Sequence, residues 1–281
     1  MRIAKSVVPA CLLLLSGAAW AQDAPAGDPS AAQPPPAAAQ PAGTVSGAPV
    51  TYTKDNYPGS FVDRPLILPM MMAQPEFVVG IIHTSADTGE ALNFAFDMGV
   101  MDKLQAGALL NFPVNPNADF GYFLVNGQYG INEMLNARLD IGASKQGDST
   151  GFTFGIGAPI KYKLNPMIAL TSGRPYAYGA GDDIIQMTIV SGAKVFLLVI
   201  PVGLLAQVHE MIAVGVRTGF RFQSVSPDMG DSITSKYVPL AFDGMVNIIK
   251  MIDVGFTFEL AGNTDDYAGT QNISIWAQAR F

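Results

Sequence analysis

The sequence has almost nothing with which to do covalent or metal chemistry. It holds one cysteine, Cys11, and two histidines, His83 and His209, in 281 residues. One cysteine excludes an internal disulfide, and two distant histidines exclude the usual zinc and transition-metal ligand sets. Charge is scarce as well: Asp, Glu, Lys and Arg make up 14% of the chain, and the formal net charge is -7. An acidic chain so poor in Lys and Arg is unsuited to nucleic acid, whose binding rests on cations against phosphate. Long hydrophobic runs are also missing. The longest after the N-terminus, Val195 to Ala206, is broken by Pro201 and Gly203. It is about 12 residues long, against the roughly 20 that a membrane-spanning helix needs.

What is present pulls the other way. Hydrophobic residues make up 49% of the chain, and its mean hydropathy is +0.27. An apolar protein without spanning helices is either soluble with a large core or a barrel that turns its apolar face to lipid.

The N-terminus reads as an export signal over residues 1–21. Arg2 and Lys5 precede an apolar stretch from Val7 to Leu15, and Ala19-Trp20-Ala21 supplies small residues for cleavage before Gln22. Cys11 precedes the leucine run, whereas a lipid-anchoring cysteine follows it. Cleavage would remove the only cysteine and two positive charges, taking the formal charge from -7 to -9. Residues 22–50 are rich in Ala, Pro, Gly and Gln, including Pro34-Pro35-Pro36, and read as an extended linker. Because this linker offers a core nothing to bury, a chain starting near Thr51 is expected to insert as the full chain does. Loss of heat-dependent migration on an SDS gel after that deletion would show that the linker packs with the folded part. Residues 51–75 form a lead-in segment in which Pro65 and Pro69 bar a central strand.

From Glu76 to the end the pattern has a period of two. Ile252, Val254, Phe256, Phe258 and Leu260 alternate with Asp253, Gly255, Thr257 and Glu259. Ile273, Ile275, Ala277, Ala279 and Phe281 alternate with Asn272, Ser274, Gln278 and Arg280, with Trp276 the exception. Such alternation marks strands with one apolar and one polar face. The polar face is rich in Gly, Ala, Asn and Thr, with few Lys and Glu. That composition suits a barrel interior better than a solvated surface. Phe256→Arg is therefore expected to be costly and Thr257→Arg milder.

Short turns recur at residues 100–104, 131–135, 164–168, 208–212 and 249–252, while longer polar loops lie between them. This asymmetry predicts an all-β, transmembrane, antiparallel up-and-down barrel over residues 76–281. About twelve strands are expected: 76–84, 91–99, 104–112, 120–130, 135–144, 151–163, 167–172, 194–207, 212–223, 237–248, 252–260 and 271–281. Residues 172–194 leave ten and fourteen open, because Ile184 to Val190 can be a strand end, a folded loop or part of another hairpin.

The terminal pattern of Ile273, Ile275, Ala277, Ala279 and Phe281 resembles that of Gram-negative outer-membrane β-barrels, which commonly end in an aromatic residue. The resemblance is to the class and to no particular family. It implies that Ile273, Ile275 and Phe281 carry a signal read by the barrel-assembly machinery. It also implies an outer-membrane location, contact with outer-membrane lipids and lipopolysaccharide, and a periplasmic position for residues 51–75.

Candidate chemistry is thin. His83, near Ser85, could serve a barrel lipid hydrolase, but no orienting acid stands at a suggestive spacing, and an interfacial polar residue is the simpler reading. His209 falls in a short turn. Asp182-Asp183, Asp265-Asp266, Asp228 and Asp231 lack the spacing of a dedicated calcium loop, and Gly151 to Gly157 has no lysine or helix after it to hold phosphate. No catalytic residue, metal site or cofactor is expected, and no enzyme activity. The informative residues are the inward charges: Asp97, Arg138, Asp140, Lys161, Arg217, Arg221, Asp243, Asp253 and Glu259, with Lys163. They can line a polar passage or pair and plug it. The leading reading is a small passive, porin-like pore for small solutes, with the solute unspecified. The rivals are a non-transporting barrel with a plugged lumen and a lipid hydrolase.

Overall fold

A computed structural model describes residues 52–84, 88–115, 118–146, 149–172, 184–191, 195–225, 233–260 and 270–281. The expected signal and linker lie outside these residues, as do Ser85 and the paired aspartates of the outer loops.

Among the described residues, fifteen strand segments build the wall. They are β1 (Ala73–Thr84), β2 (Thr88–Met101), β3 (Leu104–Asn115), β4 (Tyr122–Gly130), β5 (Asn136–Gln146), β6 (Ser149–Ala158), β7 (Lys161–Asn165) and β8 (Ile168–Thr171). The remainder are β9 (Ile185–Val190), β10 (Val195–His209), β11 (Ile212–Val225), β12 (Ile233–Tyr237), β13 (Leu240–Ile249), β14 (Ile252–Leu260) and β15 (Thr270–Ala279). Every ladder is antiparallel, and β15 returns to β1 with Gln278 opposite Glu76. The backbones of Ala73 and Phe281 then exchange two hydrogen bonds, of 2.9 and 3.1 Å.

The segments fill twelve wall positions. β7 continues β6 along the start of β5, through the Leu135–Ile160 bridge. β8 and β9 share one position between the β6–β7 strand and β10. β12 and β13 share another beside β11. The result is a closed twelve-stranded antiparallel barrel. Closure leaves no edge strand, as a bilayer demands of any sheet that crosses it.

The interruptions coincide with proline. β10 pairs with β9 up to Val199 and with β8 from Gly203, so Pro201 lies where that ladder is empty and needs no N–H donor. Pro239 separates β12 from β13 in the same way. Of the readings left open for Ile184 to Val190, the structure shows a strand end: Ile185–Val190 takes up the wall position that β8 left, between β6 and β10. Residues 173–183 lie outside the described set. β1 also starts earlier than expected, at Ala73. Pro75 is tolerated because Ala73 to Pro75 pair with β2, while the β15 ladder begins only at Glu76.

Candidate functional site

Side chains alternate across this wall as the period-two pattern requires. Phe77, Phe96, Phe154, Ile200, Val216, Phe242, Phe256 and Ile275 all point outward and are exposed, with Phe256 at 54% and Ile275 at 53%. A continuous apolar band of this kind around a closed barrel has no place in water and fits the hydrocarbon of a bilayer. Among the described residues no helix is long and apolar enough to cross a membrane.

The interior is polar and charged. Asp97, Arg138, Asp140, Lys161, Arg217, Asp243, Asp253 and Glu259 are all buried inside the wall, and the Arg221 side chain is only 11% exposed. The fold brings these nine into groups. On the β2–β6 side, Arg138 Nε donates to Asp140 Oδ1 at 2.9 Å. Gln186 donates to the other Asp140 oxygen at 2.7 Å, and Gln105 to Asp97 at 3.2 Å. On the opposite side, Arg217 forks onto Asp243 at 2.7 and 3.2 Å, and Thr257 Oγ1 donates to Asp243 at 2.7 Å. One level nearer the loop end, Arg221 reaches both Glu259 oxygens at 3.0 and 3.4 Å. This packing alters the comparison expected at position 257. Thr257 is 4% exposed and already bonded to a charge pair, so arginine there would be forced against Arg217.

The third group lies at the short-turn end, which faces the periplasm in barrels of this design. Asp253 of β14 accepts hydrogen bonds from Arg64 (2.7 and 2.9 Å), Asn247 (2.6 Å), Gln278 (2.6 Å) and Arg280. Arg64 belongs to the lead-in segment, which runs inside the barrel mouth. Its guanidinium also stacks 3.8 Å from the centre of the Phe61 ring. Phe61 and Leu68 are fully buried, and Met72, Val62 and Tyr57 almost so. At the rim, Lys163 pairs with Asp63 and Lys250 donates to the Asp55 carbonyl.

Sequence reading missed Arg64, Arg280 and the carboxamides Gln105, Gln128, Asn136 and Gln207. Arg280 was visible on the polar side of the last strand. Arg64 left a fainter mark: with Asp63 it is one of two charges among Phe61, Val62, Leu66, Ile67 and Leu68, a segment too apolar to stay in water but without strand periodicity. Trp276, the exception to the alternation, points inward and is 1% exposed. Gly255 on the neighbouring strand makes the room, since a Cβ there would stand 2.3 Å from the indole.

The remaining candidates have modest surroundings. His83 Nδ1 lies 2.8 Å from Thr88 Oγ1 across the first hairpin. His209 Nδ1 accepts the Met211 N–H at 3.3 Å and so shapes its short turn. Among the described residues no cluster of His, Cys, Asp and Glu could hold a metal ion. In the loop region, a hydrogen bond from Lys145 and the Phe120 N–H hold the Asp119 carboxyl below the usual carboxylate range. That contact is therefore in place above the ordinary Asp pKa and is lost as pH falls through the lowered value. Ile273, Ile275 and Phe281 sit on the outer, lipid-facing side.

The chain is a closed β-barrel of the membrane-spanning kind, with an apolar outer band and a charged interior. No family model and no curated relative matches its sequence. Solved structures that it resembles include porins and the translocator domain of an autotransporter. A KdgM porin matches with 6% identity over 73% of this chain and 99% of the porin, at a TM-score of 0.47. A NanC porin matches with 10% identity over 72% and 98%, at 0.47. The translocator domain of the autotransporter NalP from Neisseria meningitidis matches with 9% identity over 75% and 86%, at 0.38. At these values the likeness is one of barrel architecture.

Proposed function

We propose that the barrel is a channel for small polar solutes, held shut at its short-turn end by residues 52–72. The observation that carries this reading is the interior itself. It is lined by charged and amide side chains from nearly every wall position, with acids and bases both present, which is the composition of a hydrated passage. An interior meant only to be filled has no need of so many groups that are costly to desolvate.

One observation favours the second reading, a barrel that transports nothing. The ion pairs on both sides are closed and shielded, and the mouth is occupied. Planar-bilayer recording separates the two. The protein from Gln22 onward should show rare, brief conductance steps, and a chain lacking residues 22–72 should conduct for most of the record. Asp243→Asn should then change the ion selectivity of the open state. Silence from both chains, each folded by the gel criterion, would end the channel reading.

A further inference from the structure

The wall at the short-turn mouth reads a peptide backbone. The Phe61 N–H donates to Gln207 Oε1 at 2.8 Å, and the Leu68 N–H to Gln105 Oε1 at 2.9 Å. The Leu66 carbonyl accepts from Gln128 Nε2 at 2.7 Å and from Asn136 Nδ2 at 3.1 Å. Lys161 Nζ donates to the carbonyls of Phe61, at 2.6 Å, and Arg64, at 2.9 Å. Five wall strands thus aim one side-chain donor or acceptor each at main-chain atoms of one irregular segment, which turns at Ser60–Asp63. Inside the mouth the segment's charge is read at Arg64, by Asp253, while the Asp63–Lys163 pair lies at the exposed rim. Phe61 and Val62 add apolar contact with Val78, Leu205, Met245 and Trp276.

These are the features of a bound ligand and not of a wall element. Residues 57–68 join no β-ladder, and their contacts to the wall through hydrogen bonds are of a kind that water can replace. The segment is tethered to β1 through a turn at Pro69–Met72, closed by the Met72 N–H on the Pro69 carbonyl at 3.0 Å. Met71 adopts φ 64° there, as the third residue of a type II turn does. The tether lies directly on Gly99 of β2, where a Cβ would stand 2.0 Å from the Pro69 carbonyl oxygen and 2.5 Å from that of Leu68.

We infer that the mouth is a binding site for a turned, arginine-bearing peptide, and that residues 57–68 occupy it as a built-in blocker latched by Arg64 on Asp253. The docking stands on the contacts above. Only its consequence for conduction rests on the channel reading.

The test uses the full chain after export, from which Cys11 is expected to be gone, with Val62→Cys as a reporter. Val62 is 2% exposed, so a water-soluble maleimide should label a thiol at that position slowly. Arg64→Ala, which removes the latch, should raise the labelling rate about tenfold or more. So should Gly99→Ala, which disturbs the tether without touching a charge. Arg64→Lys should fall between. If the thiol at position 62 stays protected in Arg64→Ala and Gly99→Ala chains that keep heat-dependent migration, the proposal is overturned. Failure of both variants to fold would overturn it as well, because the segment would then be an indispensable part of the barrel. Faster labelling with no conductance in any variant would keep the peptide site and reject the channel.

Discussion

Asp253→Ala should destabilise the folded barrel by about 3–5 kcal/mol, because breaking a buried ion pair strands the opposite charge. Two arginines are stranded here. Arg64 and Arg280 both donate to Asp253, and the side chains of all three are 3% exposed or less. Asn247 and Gln278 lose their acceptor too. The effect should exceed that of Arg64→Ala, after which Asp253 still holds Arg280 and both amides. Urea titration of the protein in detergent or lipid, followed by loss of heat-dependent migration, measures the difference. Asp253→Asn should be intermediate, since it keeps the shape but loses the charge. If alanine at 253 costs no more than alanine at 64, Asp253 is not the hub that the contacts make it.

Phe256→Arg is the second large effect, at about 2–4 kcal/mol against insertion near the bilayer midplane. Phe256 is the middle residue of β14, points outward and is 54% exposed. The matched control is Thr257→Val on the other face. It removes the 2.7 Å bond to Asp243 but keeps the volume, and should cost about 1 kcal/mol. Arginine at 257 is no longer the mild comparison that alternation alone implies, because the interior around it is filled and already carries Arg217. Phe256→Arg insertion equal to that of the original protein would mean that β14 does not face lipid.

Alternation was enough to separate Phe256 from Thr257 and Ile275 from Ser274, because the side-chain period of a strand is fixed at two and a bilayer punishes the wrong face. The short turns were legible for a similar reason: Asn-Glu, Asn-Pro and Asp-Lys pairs punctuate otherwise unbroken alternation. The split of one strand into β8 and β9 was not legible. Six residues from Ile185 to Val190 carry too little pattern to show which wall position they occupy, and only their pairing with both β6 and β10 assigns it.

The sequence by itself determined the class of object: a strand-built membrane barrel with its charges inside. That follows from composition and period, which are local properties. The tertiary structure alone decided what those charges do. Arg217 and Asp243 lie 26 residues apart and Arg64 and Asp253 lie 189 apart, and nothing in either neighbourhood names its partner. Pairing across a lumen depends on register, and register is set by closure of the whole barrel. The lead-in segment shows the same limit. Its apolar side chains required burial, but only the barrel mouth, with Gln105, Gln128, Asn136, Gln207 and Lys161 turned toward one backbone, fixed where that burial takes place.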